Sequence, residues 1–160
     1  MIEGMDAFLS KLTAMAEIED ELFASVDQCG EFVRDDARLR APVDTSDLRK
    51  SIDHTTSKEN AEIVSEIHTN SDHAVYVEFG TGPVGAANHE GTSPEVSVTY
   101  SPDKWKGVIP GLVSDTDSGI RYIAGQAAQP YMYPALKDNE DQIIEKINSD
   151  VIKAVEDKTK

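Results

Sequence analysis

The stretch MDAFLSKLTAMAEIEDELFASVDQCGEFVRDDARLRAP, residues 5–42, decides how the chain begins to fold. Its apolar side chains recur at alternating spacings of three and four, which is the pattern of an amphipathic helix. Glu19 interrupts the stripe and Gly30 is a candidate kink, so the pattern allows one helix or two, split near Ile18 or Gly30. The helix must end before Pro42, because proline disfavours the helical conformation of the preceding residue. The stripe consists of Phe8, Leu12, Met15, Leu22, Val26, Cys29 and Val33.

A short helical turn and a β-meander are predicted after this helix. Residues 46–50 read as the turn, with Asp44 or Thr45 as its cap. Two strands, 51–56 and 61–69, bracket a reversal at 57–60, and the second alternates polar with apolar side chains as a half-buried strand does.

The middle of the chain is predicted to complete the sheet. Residues 74–79 read as a third strand, which ends where Gly80 and Gly82 let the chain reverse. Residues 84–119 read as a long loop with partial strand character, including a strand at 95–100 and a segment around Trp105; such loops are usually functional or ordered by a partner. Residues 120–123 are predicted to form a last strand.

The C-terminal part is predicted to form a second amphipathic helix over residues 135–158, with Pro134 at its first position. Two prolines make residues 129–134 an extended connector. The predicted fold class is therefore α+β: one domain, 1–160, with an antiparallel sheet of three to five strands flanked by an N-terminal and a C-terminal helix.

The net charge argues against one class of ligand, free nucleic acid. Fifteen basic and thirty acidic residues give a formal net charge of -15 over 160 residues. Free DNA or RNA is disfavoured as a ligand, since such binding draws on Lys and Arg contacts to phosphate. Adaptation to a salt-rich cytoplasm is a second interpretation of the acidity. No apolar run has the length of a membrane span and the acidic start is unlike a signal peptide, so we expect a soluble protein that is not exported by that route.

No catalytic, metal or cofactor site is predicted. The lone Cys29 lies on the apolar stripe and is expected to be a buried, inert thiol. The Asp44-Thr45-Ser46 triplet resembles an aspartic-protease motif but occurs once, and a cap is the better interpretation. Gly80-x-Gly82 lacks the further residues of a phosphate loop. The four histidines, His54, His68, His73 and His89, have no ligand-like spacing. His68 and His73 straddle the turn 70–72, where solvated turn residues are favoured over a metal site formed by His and Asp.

Aromatic residues concentrate in the irregular second half. They would either cover the core of a monomer or anchor an interface between subunits, and the sequence favours neither. The candidate interface residues are Tyr100, Trp105, Tyr131 and Tyr133.

Three stretches resemble one family. Residues 41–52 (APVDTSDLRKSI), 76–83 (YVEFGTGP) and 125–136 (GQAAQPYMYPAL) are similar, in this order, to signatures of the tail-completion, or head-to-tail joining, proteins of long-tailed phages. Ser46 stands where the family usually has Gly, and Ala127 where it often has Pro. The matching motif residues are Pro42, Asp44, Thr45, Leu48, Arg49, Ser51, Tyr76, Glu78, Phe79, Gly80, Gly82, Pro83, Gln129, Pro130 and Pro134.

The resemblance implies a structural virion protein without a cofactor. Its copies would form a sixfold ring in the neck, at the head-proximal end of the tail tube, between a tail tube or tail terminator protein and a head connector or head-closure protein. DNA would pass through without specific binding, and no membrane is involved. Residues 84–119 or the end of the N-terminal helix would reach neighbouring subunits or the tail tube. The alternative is a stand-alone, prophage-encoded protein-binding module, and an enzyme ranks third.

Overall fold

One helix organises the molecule. The computed structural model describes residues 5–43, 47–108 and 120–159, and the side chains of residues 9–43, 47–106 and 122–158. Helix α1 (Met5–Arg40) is continuous over 36 residues. Gly30 does not split it: a Cβ atom there would lie 1.9 Å from the Ser65 Oγ atom, so the glycine allows a strand to approach the helix closely.

The predicted turn after α1 is confirmed as helix α2 (Asp47–Ser51). The Ala41 amide still donates to the Ala37 carbonyl, at 2.9 Å, and the helix ends before Pro42 as expected. The expected capping residues Asp44 and Thr45 lie outside the described residues, as does Ser46.

The next two strands form a hairpin. Strand β1 (Ile52–Glu59) pairs antiparallel with β2 (Glu62–Thr69), and the burial of β2 alternates as predicted. The reversal is shorter than the predicted 57–60, because Asn60 and Ala61 alone form it, with φ angles of 49° and 65°. Two positive φ values are those of a type I′ turn, whose twist matches that of the paired strands.

The predicted third strand is wrong. Residues 74–79 form helix α3 (Ala74–Phe79), in which Ala74 and Glu78 are buried while Val75 and Tyr76 are exposed. This spacing of four is helical. Six residues rich in Val and Tyr do not distinguish a strand from a helix by periodicity.

The long loop is more ordered than predicted. It begins within helix α4 (Gly82–Ala87), and residues 95–100 form no strand. Strand β3 (Trp105–Val108) pairs antiparallel with β4 (Ile120–Ile123), which confirms both predicted segments, whereas Ile109 lies outside the described residues. Within the described part of the chain, the strands thus form two separate two-stranded sheets and not one sheet of three to five strands.

The C-terminal helix begins earlier than predicted and is divided. Helix α5 (Met132–Lys137) includes Tyr133 and Pro134, so only the first part of the predicted connector is extended, and Pro134 occupies the third helical position. Helix α6 (Glu140–Thr159) follows after two residues. The side chain of one of them, Asn139, donates to the Ala135 carbonyl and to Asp36 of α1, at 2.8 and 2.7 Å.

The core lies near the C-terminal end of α1, and this helix contacts β1, β2, α5 and α6 along its length. Partly buried Leu48, Val77 and Met132, one from each of the three motif stretches, pack against its buried residues. The buried members are Val33, Ala37, Ala41, Ile52, Tyr131 and Ala135.

The hairpin turn offers a test of the fold. Ala61→Gly is expected to raise the free energy of unfolding by about 1 kcal/mol, because Ala in the left-handed region carries a steric cost that glycine avoids. Asn60→Gly should change it less, since Asn tolerates this conformation. Urea denaturation measures both. A loss of stability in Ala61→Gly would contradict the type I′ turn.

Candidate interface groove

The three motif stretches converge on one groove of about 780 Å³. Apolar and aromatic side chains make up half of its lining, and polar residues lie among them. The lining residues are Pro42, Asp47, Leu48, Ser71, His73, Tyr76, Val77, Thr81, Trp105 and Gln126.

A buried carboxylate joins the second stretch to the third. Glu78, in α3, is 6% exposed and accepts backbone hydrogen bonds from three consecutive residues at the start of α5. One oxygen lies 2.7 Å from the Tyr131 amide and 3.0 Å from that of Met132, and the other lies 3.0 Å from the Tyr133 amide. These amides have no partner within the first turn of a helix, so Glu78 caps α5 from a distant part of the chain.

Backbone contacts continue this junction toward the groove. Thr81 and Gln126 form an antiparallel bridge, and the Gln126 side chain donates to the Tyr76 carbonyl at 2.8 Å. A Cβ atom on Gly125, whose φ is +92°, would lie 1.8 Å from the Thr81 carbonyl oxygen. Gly80 also has the expected positive φ, +74°, although it ends a helix and not a strand.

The first stretch is tied to the end of α1. Arg49 donates to the Ala41 and Leu39 carbonyls, at 2.7 and 3.4 Å, and so satisfies free carbonyls at the helix terminus. The Ser51 hydroxyl donates to the Leu48 carbonyl at 2.8 Å. These contacts place Leu48 against the core and Pro42 in the groove wall.

The remaining motif residues lie around the junction between the second and third stretches. Phe79 presents its carbonyl to the Tyr100 hydroxyl at 2.7 Å, and the Gln129 amide donates to the Val77 carbonyl at 2.8 Å. Gly82 has a φ of +59° and, with Pro83, begins α4, so a helix stands where the predicted long loop begins. Pro130 precedes the capped turn, and Pro134 lies within α5.

The candidate interface aromatics do not share one environment. Trp105 is 40% exposed in the groove, whereas Tyr131 has no exposed surface and belongs to the core. Tyr131 is therefore not a surface anchor. Tyr100 is held by Phe79 and is half-buried, as is Tyr133. Tyr76, which the sequence analysis assigned only to a motif, is 54% exposed in the groove.

Titratable groups elsewhere show ordinary structural environments. Cys29 is buried, as predicted, and burial raises its pKa. His54 lies between Arg34 and Asp27, and His68 contacts Thr55 on the hairpin. In the described ranges, no group of three or more His, Cys, Asp or Glu side chains has an arrangement suited to a metal ion. The helices among these residues include none that is both long and apolar enough to cross a membrane.

Comparison with known proteins relates the first half of the chain to phage tails. Residues 3–80 match the model of the family described as "Bacteriophage HK97-gp10, putative tail-component". The match supports a phage tail-related family. It extends from α1 to the end of α3 and so includes the first motif stretch, most of the second and Glu78. No curated protein and no solved structure matches the chain.

Two contributors to the site were missed by sequence reasoning. Gln126 was part of a quoted motif but had no assigned role, although its side chain and backbone both hold the second stretch. Glu78 had no assigned partner. A single acid within the apolar run AVYVEF was the available signal, because a carboxylate buried in such a run needs several donors.

The Glu78 cap predicts a large effect of removing the carboxylate. Glu78→Ala should lower the free energy of unfolding by about 2–4 kcal/mol, since one buried and two partly buried amides lose their acceptor. Glu78→Gln keeps one acceptor oxygen and should lose less. Chemical denaturation is the measurement, and Glu95→Ala, at an exposed position, is the control. Equal stability of Glu78→Ala and the control would refute the cap.

The buried Tyr131 hydroxyl predicts an alkaline effect. Burial, with the nearby charge of Glu78, raises the pKa of Tyr131 to about 12. The unfolded chain releases this proton near pH 10, about two units earlier, so the contribution of Tyr131 to stability is complete below pH 10 and is lost as the pH rises toward 12.

Tyr131→Phe should remove that part of the alkaline decline. At neutral pH it should change the free energy of unfolding by less than about 1 kcal/mol, because the hydroxyl has no hydrogen-bond partner among the described residues. Denaturation curves of both proteins between pH 8 and pH 12 test this. Parallel declines in the two proteins would show that Tyr131 does not ionise as inferred.

Proposed function

We propose that this chain is a structural subunit of a phage tail, and specifically the tail-completion or head-tail connector subunit of the neck. The observation that carries the proposal is the family match over residues 3–80. A structural role is typical of a tail-component family, and such a family suggests a location in the virion and contacts with other virion proteins. The neck position rests on the resemblance of the three motif stretches.

The groove supports a role in protein assembly. Tyr76 and Trp105 present large aromatic surfaces in it, and aromatic residues are enriched at the centres of protein interfaces. Val43 and Val75, next to lining residues in the sequence, are 60% and 62% exposed. A concave site with exposed aromatics suits a protein segment better than a polyanion.

The proposed assembly is a ring of six copies. In a ring each subunit uses one patch to contact a different patch on its neighbour, and the angle between the patches determines closure. One face of the ring would contact the tail tube or terminator, and the other the head connector or head-closure protein. A net charge of -15 would allow DNA to pass with few adhesive contacts to basic side chains.

Deletion of the gene tests this function. We expect DNA-filled or fillable heads and separate tails that do not join, because only this ring would match both partners in shape and charge. Electron microscopy of the deletion lysate is the measurement. Joined, infectious particles that lack the protein would overturn the neck role and leave the protein-binding module as the better interpretation.

A matched pair of variants tests the groove within this function. Tyr76→Asp places a charge in the groove, whereas Tyr122→Asp changes an equally large tyrosine, 68% exposed, that does not line it. Both proteins should fold. Only Tyr122→Asp should restore joined particles to the deletion lysate; equal restoration by both variants would show that the groove is not used.

A further inference from the structure

Helix α1 extends beyond the elements that cover it. Near the hairpin turn, Lys58 pairs with Glu19, and near the end of α6, Lys158 pairs with Glu17. Both covering elements therefore end beside residues 17–19 of the helix. Residues 5–16, here called the arm, continue past this point for about 18 Å.

The arm continues the apolar stripe of α1 beyond the elements that cover it in the described part of the chain. From Leu22 to Val33 the stripe is buried or half-buried against the hairpin and α6. Leu12 and Met15 follow the same spacing of three and four, so they lie on the same side of the helix, yet they are 46% and 66% exposed. The helix thus presents an apolar surface that a second protein surface can cover.

The charge of the arm differs from that of the chain. Its twelve residues contain one acid and one base, in a protein with a net charge of -15. The base, Lys11, is the only Lys or Arg before Arg34. At the groove, Asp47 belongs to the lining and Asp72 lies between the lining residues Ser71 and His73. An arm whose one basic residue is Lys11 is complementary in charge to a half-apolar groove that contains Asp47 and lies beside Asp72.

The arm cannot reach the groove of its own subunit. The groove begins at Pro42, just beyond the end of α1, and the helix is continuous between the two sites. From Met15 to Arg40 the helix rises about 37 Å. The two surfaces are therefore held at opposite ends of one helix, and an arm that occupies a groove must come from another copy.

We infer that the arm of each copy docks in the groove of the next copy, with Leu12 and Met15 against Tyr76 and Trp105. This inference rests on the proposed ring and names the contact between its subunits. The two patches differ, so the contact is head-to-tail and every copy both gives and receives an arm.

The area that this contact buries is more consistent with a ring than with a free dimer. A twelve-residue helix in one groove buries less than the ~1,600 Å² that is usual for a stable pair of proteins. In a closed ring each copy makes two such contacts, and the head and tail hold the copies together. The like charge of the subunits opposes association before assembly.

Cysteine cross-linking in assembled particles tests the docking. The double variant Met15→Cys, Tyr76→Cys is added to the deletion lysate so that joined particles form. The purified particles are then oxidised and separated on a non-reducing gel. Native Cys29 is buried and should remain unreactive. The control is Ile152→Cys with Tyr76→Cys, because Ile152 is 59% exposed on α6 and outside the arm. A second pair, Leu12→Cys with Trp105→Cys, tests the same contact if the first double variant does not fold.

The inference expects a ladder of covalent multimers from the arm and groove pairs that is absent in the control pair. The ladder should end at the copy number of the ring. Dimers from Met15→Cys alone would instead show that two arms pair with each other. Infectious particles without a ladder from either pair would overturn the docking but leave the neck function intact, whereas joined particles without the protein would overturn that function itself.

Discussion

The structure depends on the burial of one negative charge. Glu78 is nearly inaccessible, and a buried carboxylate is tolerated only where donors surround it. Its donors are three amides that lie more than fifty residues later in the chain. By holding them, Glu78 fixes the start of α5, brings Tyr131 into the core and sets the third motif stretch beside the first. The groove exists because these stretches are held together at the end of α1.

The periodicity of apolar residues predicted the elements that pair with a neighbour in sequence or that carry a long apolar stripe. Helix α1 carries an apolar stripe from Phe8 to Val33, and β2 has four clear alternations, so the ends of both elements were predicted closely, although the pattern left open whether α1 was split. Helix α3 has six residues, and its conformation is decided by contacts that its own sequence does not contain. Two such contacts are the hydrogen bonds of Glu78 to the start of α5 and the close packing of Gly125 against Thr81. A preference of AVYVEF for the strand conformation is outweighed by them.

The site was predictable as a set of residues but not as a geometry. Resemblance singled out Pro42, Leu48, Tyr76 and Glu78, and all four now lie at or behind one groove. Composition did not distinguish the buried aromatic residue from the exposed one, because Tyr131 and Trp105 are both large, amphipathic side chains beside irregular segments. Their difference arises from the cap: Glu78 binds the backbone amide of Tyr131, whose side chain is fully buried, whereas Trp105 lies at the start of a two-stranded sheet and is 40% exposed.

The continuity of α1 gives the proposed docking its geometry. Because the arm and the groove are at opposite ends of one helix, in the proposed ring its length would set the spacing of neighbouring subunits and its direction would set the angle at which the next copy is received. A kink at Gly30 would change that angle. The glycine instead meets Ser65 of β2 so closely that the hairpin packs along the helix on that side. The hairpin therefore does more than cover an apolar face: it braces the helix between the arm and the groove, and the proposed ring would close only if every copy kept the same angle.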